Sequence, residues 1–176
     1  MRLAPAKKTG DGKIDAENSA REQALGRSRG GFTTKLHLIC DAKGTPLAFS
    51  LTPGNIHDVT AFDELFATCM GQLRAYGWNQ HVKLVACDKG YDSDRVRELC
   101  RANGLEPVIP RRRGPQGQDR SDPRFDKKTY RKRNHVERCI GWLKENRRMS
   151  TRYEKLARSY AGMVELAIIR RLLRTA

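Results

Sequence analysis

Four polar residues near the C-terminal end of the chain have a spacing that places them on one face of a helix. Tyr130, Arg133, Glu137 and Lys144 stand 3, 4 and 7 positions apart, so at about 100° per residue they fall within an arc of roughly 60°. That face displays one carboxylate among cations. The carboxylate could be a metal ligand on a phosphate-holding surface or half of an exposed ion pair with Arg133, and spacing alone favours the ion pair.

A second carboxylate, Asp88, ends the short apolar run VKLVACD, which predicts a buried strand. Ligand sites of open α/β sheets form beyond the carboxyl ends of strands. Asp88 on the sheet and Glu137 on a helix could therefore hold Mg²⁺ jointly through oxygen ligands. Two such ions, about 3.5 to 4 Å apart, promote in-line phosphodiester reactions, while Arg133 and Lys144 would neutralise phosphates. Asp88 fits equally well as the cap of a turn or helix.

The apolar pattern predicts the elements that must position these acids. FTTKLHLICD and PLAFSLT, joined by DAKG, predict a β-hairpin. A helix follows, with Asp58 as its cap, and VKLVACD and LEPVIP predict two strands around a helix that Asp92 or Ser93 caps and Gly104 ends. This second part is a β-α-β unit.

Two further helices are predicted at about 128–147 and 153–174. In the first, Val136, Cys139, Ile140 and Leu143 form an apolar stripe that would seat the helix on the sheet. The element order indicates an α/β fold with one mixed sheet flanked by helices. At 176 residues the chain is long enough for one domain with a hydrophobic core. We expect that domain over 32–176, with residues 1–31 as loop or disordered and a mobile basic loop at 111–127.

The charge distribution indicates a polyanionic partner. The chain has 35 Lys and Arg residues against 20 Asp and Glu, a net charge of +15, and residues 111–176 alone carry +13 of it. Nucleic acid is the first candidate. No apolar run reaches the length of a membrane-spanning helix and no signal peptide precedes the polar N-terminus, so a soluble cytoplasmic protein without a membrane partner is expected.

The cysteines and glycines exclude two other classes of protein. Five cysteines form an odd number without a C-x-x-C pair, so neither a disulfide framework nor a zinc site is indicated, and core-filling thiols are expected. The chain also has no glycine-rich phosphate loop that ends in Lys-Ser or Lys-Thr. Nucleotide hydrolysis of the Walker type is therefore not expected.

Four stretches of this sequence resemble one known family. The row Tyr130, Arg133, Glu137 and Lys144 matches the Y-(2)-R-(3)-E-(6)-K signature of bacterial DDE-type insertion-sequence transposases, and ACDKGYDS resembles the second-aspartate motif of that family. QALGRSRGGFTTKLHLICDAKGTPLAFSLTPGN and TRYEKLARSY resemble segments of its insertion-sequence-five group. The resemblance covers about residues 23–170.

The resemblance implies a ribonuclease H-like core with Asp88 and Glu137 as the second and third acids of the DDE triad. It implies Mg²⁺ or Mn²⁺ as the cofactor and double-stranded DNA, both transposon ends and target, as the partner. Metal-dependent hydrolysis would cut a transposon end, and the freed 3′-hydroxyl would attack the target without a covalent protein intermediate. Such a protein acts in the cytoplasm, at the nucleoid when bound. The DNA contacts expected are Tyr130, Arg133, Lys144, Arg111, Arg112 and Arg113.

The resemblance also implies that one catalytic acid lies elsewhere. In the family, the first catalytic Asp lies on a strand before the hairpin and is followed by a small residue and Thr, a pattern absent from this sequence. Asp11 and Asp15 lie in polar sequence, and Asp41 is explained by the hairpin turn. We therefore expect an N-terminally truncated domain that lacks the first strand and has little activity alone. It would be a decayed copy or the downstream frame of a frameshifted gene, with an upstream-frame product or a second copy as a protein partner.

Two alternatives to an enzyme follow from the charge alone. A non-catalytic DNA-binding remnant would bind in a salt-sensitive way after loss of both acids, because its phosphate contacts come from Lys and Arg. An RNA-binding protein would have similar charge, but the sequence lacks the aromatic ribonucleoprotein motif of that class. A binding competition between duplex DNA and RNA at a fixed salt concentration distinguishes the DNA-binding remnant from the RNA-binding protein.

Overall fold

The computed structural model describes residues 23–28, 31–118, 122, 123, 125–152 and 154–175. The strands are β1 (Gly26–Ser28), β2 (Gly31–Cys40), β3 (Pro46–Pro53), β4 (Leu84–Ala86) and β5 (Glu106–Val108). The helices are α1 (Asp58–Ala75), α2 (Asp94–Ala102), α3 (Lys127–Arg131), α4 (Asn134–Lys144), α5 (Arg147–Thr151) and α6 (Ala157–Thr175). Short 3₁₀ turns lie at Asn79–His81, Lys89–Tyr91 and Pro115–Gly117.

The predicted hairpin is confirmed as the antiparallel pair β2 and β3. Pairing begins with Thr34 opposite Pro53. Asp41 closes the connecting turn, because its Oδ1 accepts hydrogen bonds from the backbone N–H groups of Lys43 and Thr45, both at 2.8 Å. The turn role expected for Asp41 is therefore confirmed.

The prediction that residues 1–31 contain no strand is wrong at β1. Residues 26–28 pair in antiparallel fashion with residues 31–33, which gives a three-stranded sheet in the order β1-β2-β3. The strand escaped the pattern because GRS has no apolar alternation, and because its glycine is needed: a side chain at Gly26 would collide with Asn55. Asp11 and Asp15 lie outside the described residues.

The predicted β-α-β unit is confirmed. β4 and β5 pair in parallel, from Leu84 opposite Glu106 to Ala86 opposite Val108, and α2 connects them. Ser93 occupies the N-cap position of α2, as one of the two expected caps, although its side chain makes no capping hydrogen bond. The cap expected at Asp58 is wrong, because Asp58 is the first residue of α1 and His57 precedes it as the N-cap.

The strands form two sheets within the described residues, not the one mixed sheet expected. Helix α1 packs against both sheets, since Phe62 and Phe66 share a core with Ala48 of β3 and Val85 of β4. Helices α4, α5 and α6 cover the other face of the hairpin, where Leu38 joins their buried side chains. A cleft of about 1190 Å³, lined by β2 and β4, lies between the sheets. Within the described residues, β2 from Lys35 onward pairs only with β3 and β4 pairs only with β5, and local sequence patterns do not determine such pairing.

The helix predicted at 128–147 is interrupted. It divides into α3 and α4 at Lys132 and Arg133, and α5 begins as a separate helix at Arg147. Both interrupting residues keep right-handed helical dihedrals, −63°/−21° and −52°/−26°, so the chain keeps its general direction. The predicted stripe does seat α4, because Cys139 and Leu143 are buried against the hairpin. The helix predicted at 153–174 is confirmed as α6.

Two expectations about the wider chain are tested by the structure. All five cysteines are free, and three of them, Cys69, Cys100 and Cys139, are buried, which agrees with thiols that fill the core. In the part of the chain that the structure describes, no helix has the length and apolar character needed to cross a membrane.

Candidate active site

Asp88 lies two residues after β4, where it begins a 3₁₀ turn. Its Oδ1 accepts a hydrogen bond from the backbone N–H of Lys89 at 2.7 Å, so the turn-capping role considered from the sequence is present. The Tyr130 hydroxyl donates a long hydrogen bond to the same oxygen at 3.4 Å. Asp88 is exposed at the edge of the cleft between the sheets.

Glu137 lies in the first turn of α4 and forms the predicted ion pair. Its Oε1 accepts a hydrogen bond from Arg133 Nη2 at 2.6 Å, and its side chain is 55% exposed against 21% for the arginine. The same guanidinium lies over the Tyr130 ring, 5.4 Å from its centroid. Burial lowers the pKa of Arg133, but the bond to Glu137 and the nearby Tyr130 and Asp88 leave that pKa above its usual value.

These contacts join the two acids into one site. Asp88 contacts Tyr130, Tyr130 contacts Arg133, and Arg133 holds Glu137. Lys144 lines the same cleft as both carboxylates and is exposed. Residues that lie up to 56 positions apart in the chain, from 88 to 144, therefore share one surface.

The site can be compared with what a hard divalent cation requires. Asp88 and Glu137 each use one carboxylate oxygen in the bonds above, and no hydrogen bond to the second oxygen occurs within the described residues. Oxygen donors of this kind suit Mg²⁺ and Mn²⁺. However, no group of three or more acidic, histidine or cysteine ligands occurs in the described ranges. The donor chemistry fits, and the number of ligands falls short by at least one.

Arg112 holds the turn after Asp88 from one side. Its Nε donates to the Lys89 carbonyl at 2.9 Å and its Nη2 donates to the Gly90 carbonyl at 2.7 Å. The backbone N–H of Arg112 donates to Asp92 Oδ2 at 2.6 Å. Asp92 Oδ1 accepts from Arg97 Nη2 at 2.7 Å, and both side chains are nearly buried. The basic segment thus reaches back and fixes the turn.

The hairpin holds the same turn from the other side. A hydrogen bond of 2.7 Å joins His37 Nδ1 to the Tyr91 hydroxyl, and one of 2.8 Å joins His37 Nε2 to Thr52 Oγ1. His37 is 4% exposed, and burial lowers its pKa. Asp58 binds Lys35 Nζ at 2.8 Å. Its other oxygen would lie only 2.8 Å from a Cβ at position 90, so a larger residue there would displace the Asp58 side chain.

The three arginines predicted to contact DNA do not behave alike. Arg111 forms ion pairs with Asp94 at 2.7 Å and Asp92 at 3.6 Å, and Arg112 binds the turn. Arg113 is exposed. Acids and carbonyls from the Asp88 turn and α2 thus bind the guanidinium groups of Arg111 and Arg112, and the mobility of the basic segment stays a prediction.

Sequence reasoning missed the residues that position Asp88. Arg97, His37 and Tyr91 drew no attention, and Arg112 was expected only to contact DNA, because their partners are distant in the chain: His37 and Tyr91 are 54 positions apart. No sequence signal pointed to His37, because the alternation of the strand puts it on the same face as Lys35. Only the structure shows that α1 covers this face and buries His37.

The fold and the site define an α/β protein with two carboxylates at the edge of a cleft next to cations. The Transposase DDE domain family matches residues 5–172. Because this match covers nearly the whole chain, the protein belongs to that family. The conclusion agrees with the resemblance drawn from the Y-R-E-K row and the ACDKGYDS stretch.

Two relatives give the same result. A protein of Burkholderia cepacia, named as a candidate transposase for insertion sequence element IS402, is 36% identical over 142 residues, which are 80% of this chain and 62% of that protein. A protein of Brucella ovis, named as a candidate transposase for insertion sequence element IS6501, is 32% identical over 136 residues, 77% of this chain and 95% of that protein. The chain thus spans about three fifths of the first relative and nearly all of the second. No solved structure matches.

Proposed function

We propose that this chain acts in the transposition of a bacterial insertion sequence, in a domain that cleaves DNA and joins DNA strands with the help of Mg²⁺ or Mn²⁺. Family membership and the names of both relatives support the proposal. The observation that carries it is the contact series from Asp88 through Tyr130 and Arg133 to Glu137 at one cleft. Two carboxylates distant in sequence line that cleft beside cations, and this arrangement supports a metal-dependent phosphodiester reaction.

Each residue of the site has a role in this proposal. Asp88 and Glu137 would hold the cation, which when bound activates the attacking oxygen and stabilises the leaving oxygen of an in-line reaction. Arg133 holds Glu137 in place and can turn its remaining N–H donors to a phosphate. Tyr130 orients Arg133 and contacts Asp88. Lys144 adds a point charge for a neighbouring phosphate.

We further propose a ribonuclease H-like core that is completed by one more strand, supplied from outside the described residues. In the described part of the chain, residues 35–40 of β2 pair only with β3, and β4 pairs only with β5. The cleft between them is lined by apolar side chains of both α1 and α4, among them Phe62 and Ile140. A strand that is apolar on both faces would suit this position, and its end could present the third acid beside Asp88.

The partner in this proposal is duplex DNA, both the insertion-sequence ends and the target. The chain carries a net charge of +15, and phosphate contacts from Lys and Arg give affinity that falls as salt rises. The place of action would be the cytoplasm, at the nucleoid when the protein is bound. Tyr130, Arg133, Lys144 and Arg113 remain the proposed DNA contacts, whereas Arg111 and Arg112 would act through the turn they hold.

A nicking assay tests the proposed DNA-cleaving activity. The chain is joined to an upstream segment that carries Asp followed by a small residue and Thr, and it is incubated with an end-labelled duplex in Mg²⁺ or Mn²⁺. Asp88→Asn and Glu137→Gln should each abolish nicking. Glu145→Gln, which removes an exposed acid just after α4, is the matched control and should nick normally. Full activity in either site variant would reject the assignment.

A non-catalytic DNA-binding remnant is the second candidate. The observation that favours it is the shortage of metal ligands, since the described residues hold no group of three. It predicts that the joined protein never nicks, while duplex binding falls steeply with salt and survives the loss of both acids. Binding measured at two salt concentrations for the wild type and for the Asp88→Asn/Glu137→Gln protein separates this candidate from the enzyme.

A further inference from the structure

The C-terminal helix α6 presents an apolar stripe that nothing described covers. Leu166, Ile169 and Leu173 are 60%, 51% and 76% exposed. At about 100° per residue, they lie on the side of the helix opposite its buried face, which Tyr160 and Val164 define. Exposed large apolar residues that recur every three and four positions are the pattern of a helix that pairs with another helix.

Two opposite charges flank this stripe. With Leu166 and Leu173 at heptad position a and Ile169 at position d, Glu165 falls at position g and Arg170 at position e of the next heptad. Glu165 has no ion pair within the described residues. Arg170 makes a 3.3 Å hydrogen bond to an asparagine side chain, and the other donors of its guanidinium group have no partner among the residues that the structure describes.

The charge order selects the partner and its direction. In a parallel pair of identical helices, position g of each helix faces position e of the other, so two Glu165–Arg170 ion pairs form between the chains. In an antiparallel pair, g faces g and e faces e, which would place like charges together. We propose that α6 pairs with the α6 of a second copy of this chain in a parallel two-stranded arrangement, with Leu166, Ile169 and Leu173 as its seam.

The neighbourhood of the seam allows close approach. Gly162 occupies the preceding d position, and apart from its chain neighbours and the backbone of its own helix, no atom of the described residues lies within 4 Å of the Cβ that a larger residue would place there. The seam has only three large side chains in each helix, so it buries less than the roughly 800 Å² per partner of a standard interface. The dimer is therefore weak and its formation depends on protein concentration. The proposal does not rest on the function proposed above.

Sedimentation equilibrium of the full chain over a range of concentrations tests the pairing. The wild type should show a monomer–dimer equilibrium. Glu165→Arg alone and Arg170→Glu alone each convert both interchain pairs into repulsions and should weaken the dimer by roughly tenfold or more. Circular dichroism should show equal helix content in all variants, because both positions are exposed.

Two complementary samples identify the arrangement. The double variant Glu165→Arg/Arg170→Glu reverses both charges and should dimerise like the wild type. An equimolar mixture of the two single variants should also form dimers, since each interchain pair then joins opposite charges. Leu173→Gln should abolish dimers in every background. A wild type that stays monomeric, or a dimer that ignores the charge reversals, would overturn the proposal.

Discussion

The two acids of the site are held in opposite ways. Asp88 begins a turn that two sides of the molecule fix: Arg112 binds its carbonyls, and His37 binds Tyr91 at its end. Glu137 is exposed on a helix and is held by one ion pair with Arg133. The fold therefore determines the position of the Asp88 turn, whereas Glu137 is held by an exposed ion pair with Arg133.

This comparison predicts which residues affect the stability of the fold and which affect catalysis. The side chains of His37, Asp92 and Arg97 beside the Asp88 turn are buried and hydrogen-bonded, so changing them should lower the free energy of unfolding. Glu137 forms an exposed pair of the kind that contributes little to stability. Its replacement should therefore affect catalysis and metal binding while the fold is kept.

Asp92→Ala should cause the largest loss. It leaves the guanidinium of Arg97, which is only 8% exposed, without its carboxylate, and the loss of one partner from a buried pair costs about 3 to 5 kcal/mol. Urea denaturation followed by circular dichroism measures the change. Asp122→Ala, which removes an exposed acid of the basic segment, is the control and should change stability far less. A loss below about 1 kcal/mol in Asp92→Ala would show that the turn does not depend on this pair.

His37→Ala should cost less, on the order of 2 kcal/mol. The change leaves the hydroxyls of Tyr91 and Thr52 without their shared partner and opens a small cavity. His37→Gln can keep one of the two hydrogen bonds and should recover part of the loss. The same denaturation experiment checks both variants. Equal stability of the wild type, His37→Ala and His37→Gln would contradict a stabilising role for the hydrogen bonds of His37.

Protonation of Asp92 should lower the free energy of unfolding at acid pH. Although burial raises the pKa of Asp92, hydrogen bonds from Arg112 and Arg97 leave it below its usual value. A carboxylate with a depressed folded-state pKa contributes stability that is fully present above its unfolded pKa and is lost as pH falls through the folded value. The stability difference between wild type and Asp92→Asn should therefore shrink below about pH 4. A difference that stays constant from pH 6 to pH 3 would contradict this linkage.

Glu137→Gln should change stability least, by about 0.5 kcal/mol or less, because its side chain is 55% exposed. Unfolding measured beside Asp92→Ala gives the contrast. If the two variants lose similar stability, the division between a fixed acid and an adjustable one is wrong. If Glu137→Gln is stable and inactive in nicking, the division is supported.

Local sequence pattern was sufficient for the elements with clear periodicity. The hairpin and the β-α-β unit follow from alternating or continuous apolar runs, and α6 follows from its three-and-four spacing. Strand β1 could not be predicted because its GRS sequence lacks apolar residues. The interruption of the helix at Lys132 and Arg133 could not be predicted because both residues favour helix. Separate sheets depend on which strands pair across the chain, which no single segment reveals.

The candidate site divides in the same way. Asp88 and Glu137 could be named because short motifs contain them, and the ion pair of Glu137 with Arg133 follows from helical spacing. The bonds that fix the Asp88 turn join distant residues, as His37 and Tyr91 do, so they became visible only in the folded chain. The hydrogen bonds of Arg112 were hidden for the same reason. The composition of residues 111–127 alone suggested a solvated loop.

The central claim is that Asp88 and Glu137 bind one cation together. Electron paramagnetic resonance measures the free Mn²⁺ in titrations of the wild type, Asp88→Asn, Glu137→Gln and the double variant. A double-mutant cycle then compares the Mn²⁺ affinity that each variant loses. A shared ion predicts that either single change removes most of the affinity and that the second removes little more. Affinity unaffected by either change, or losses that simply add, would contradict a joint site.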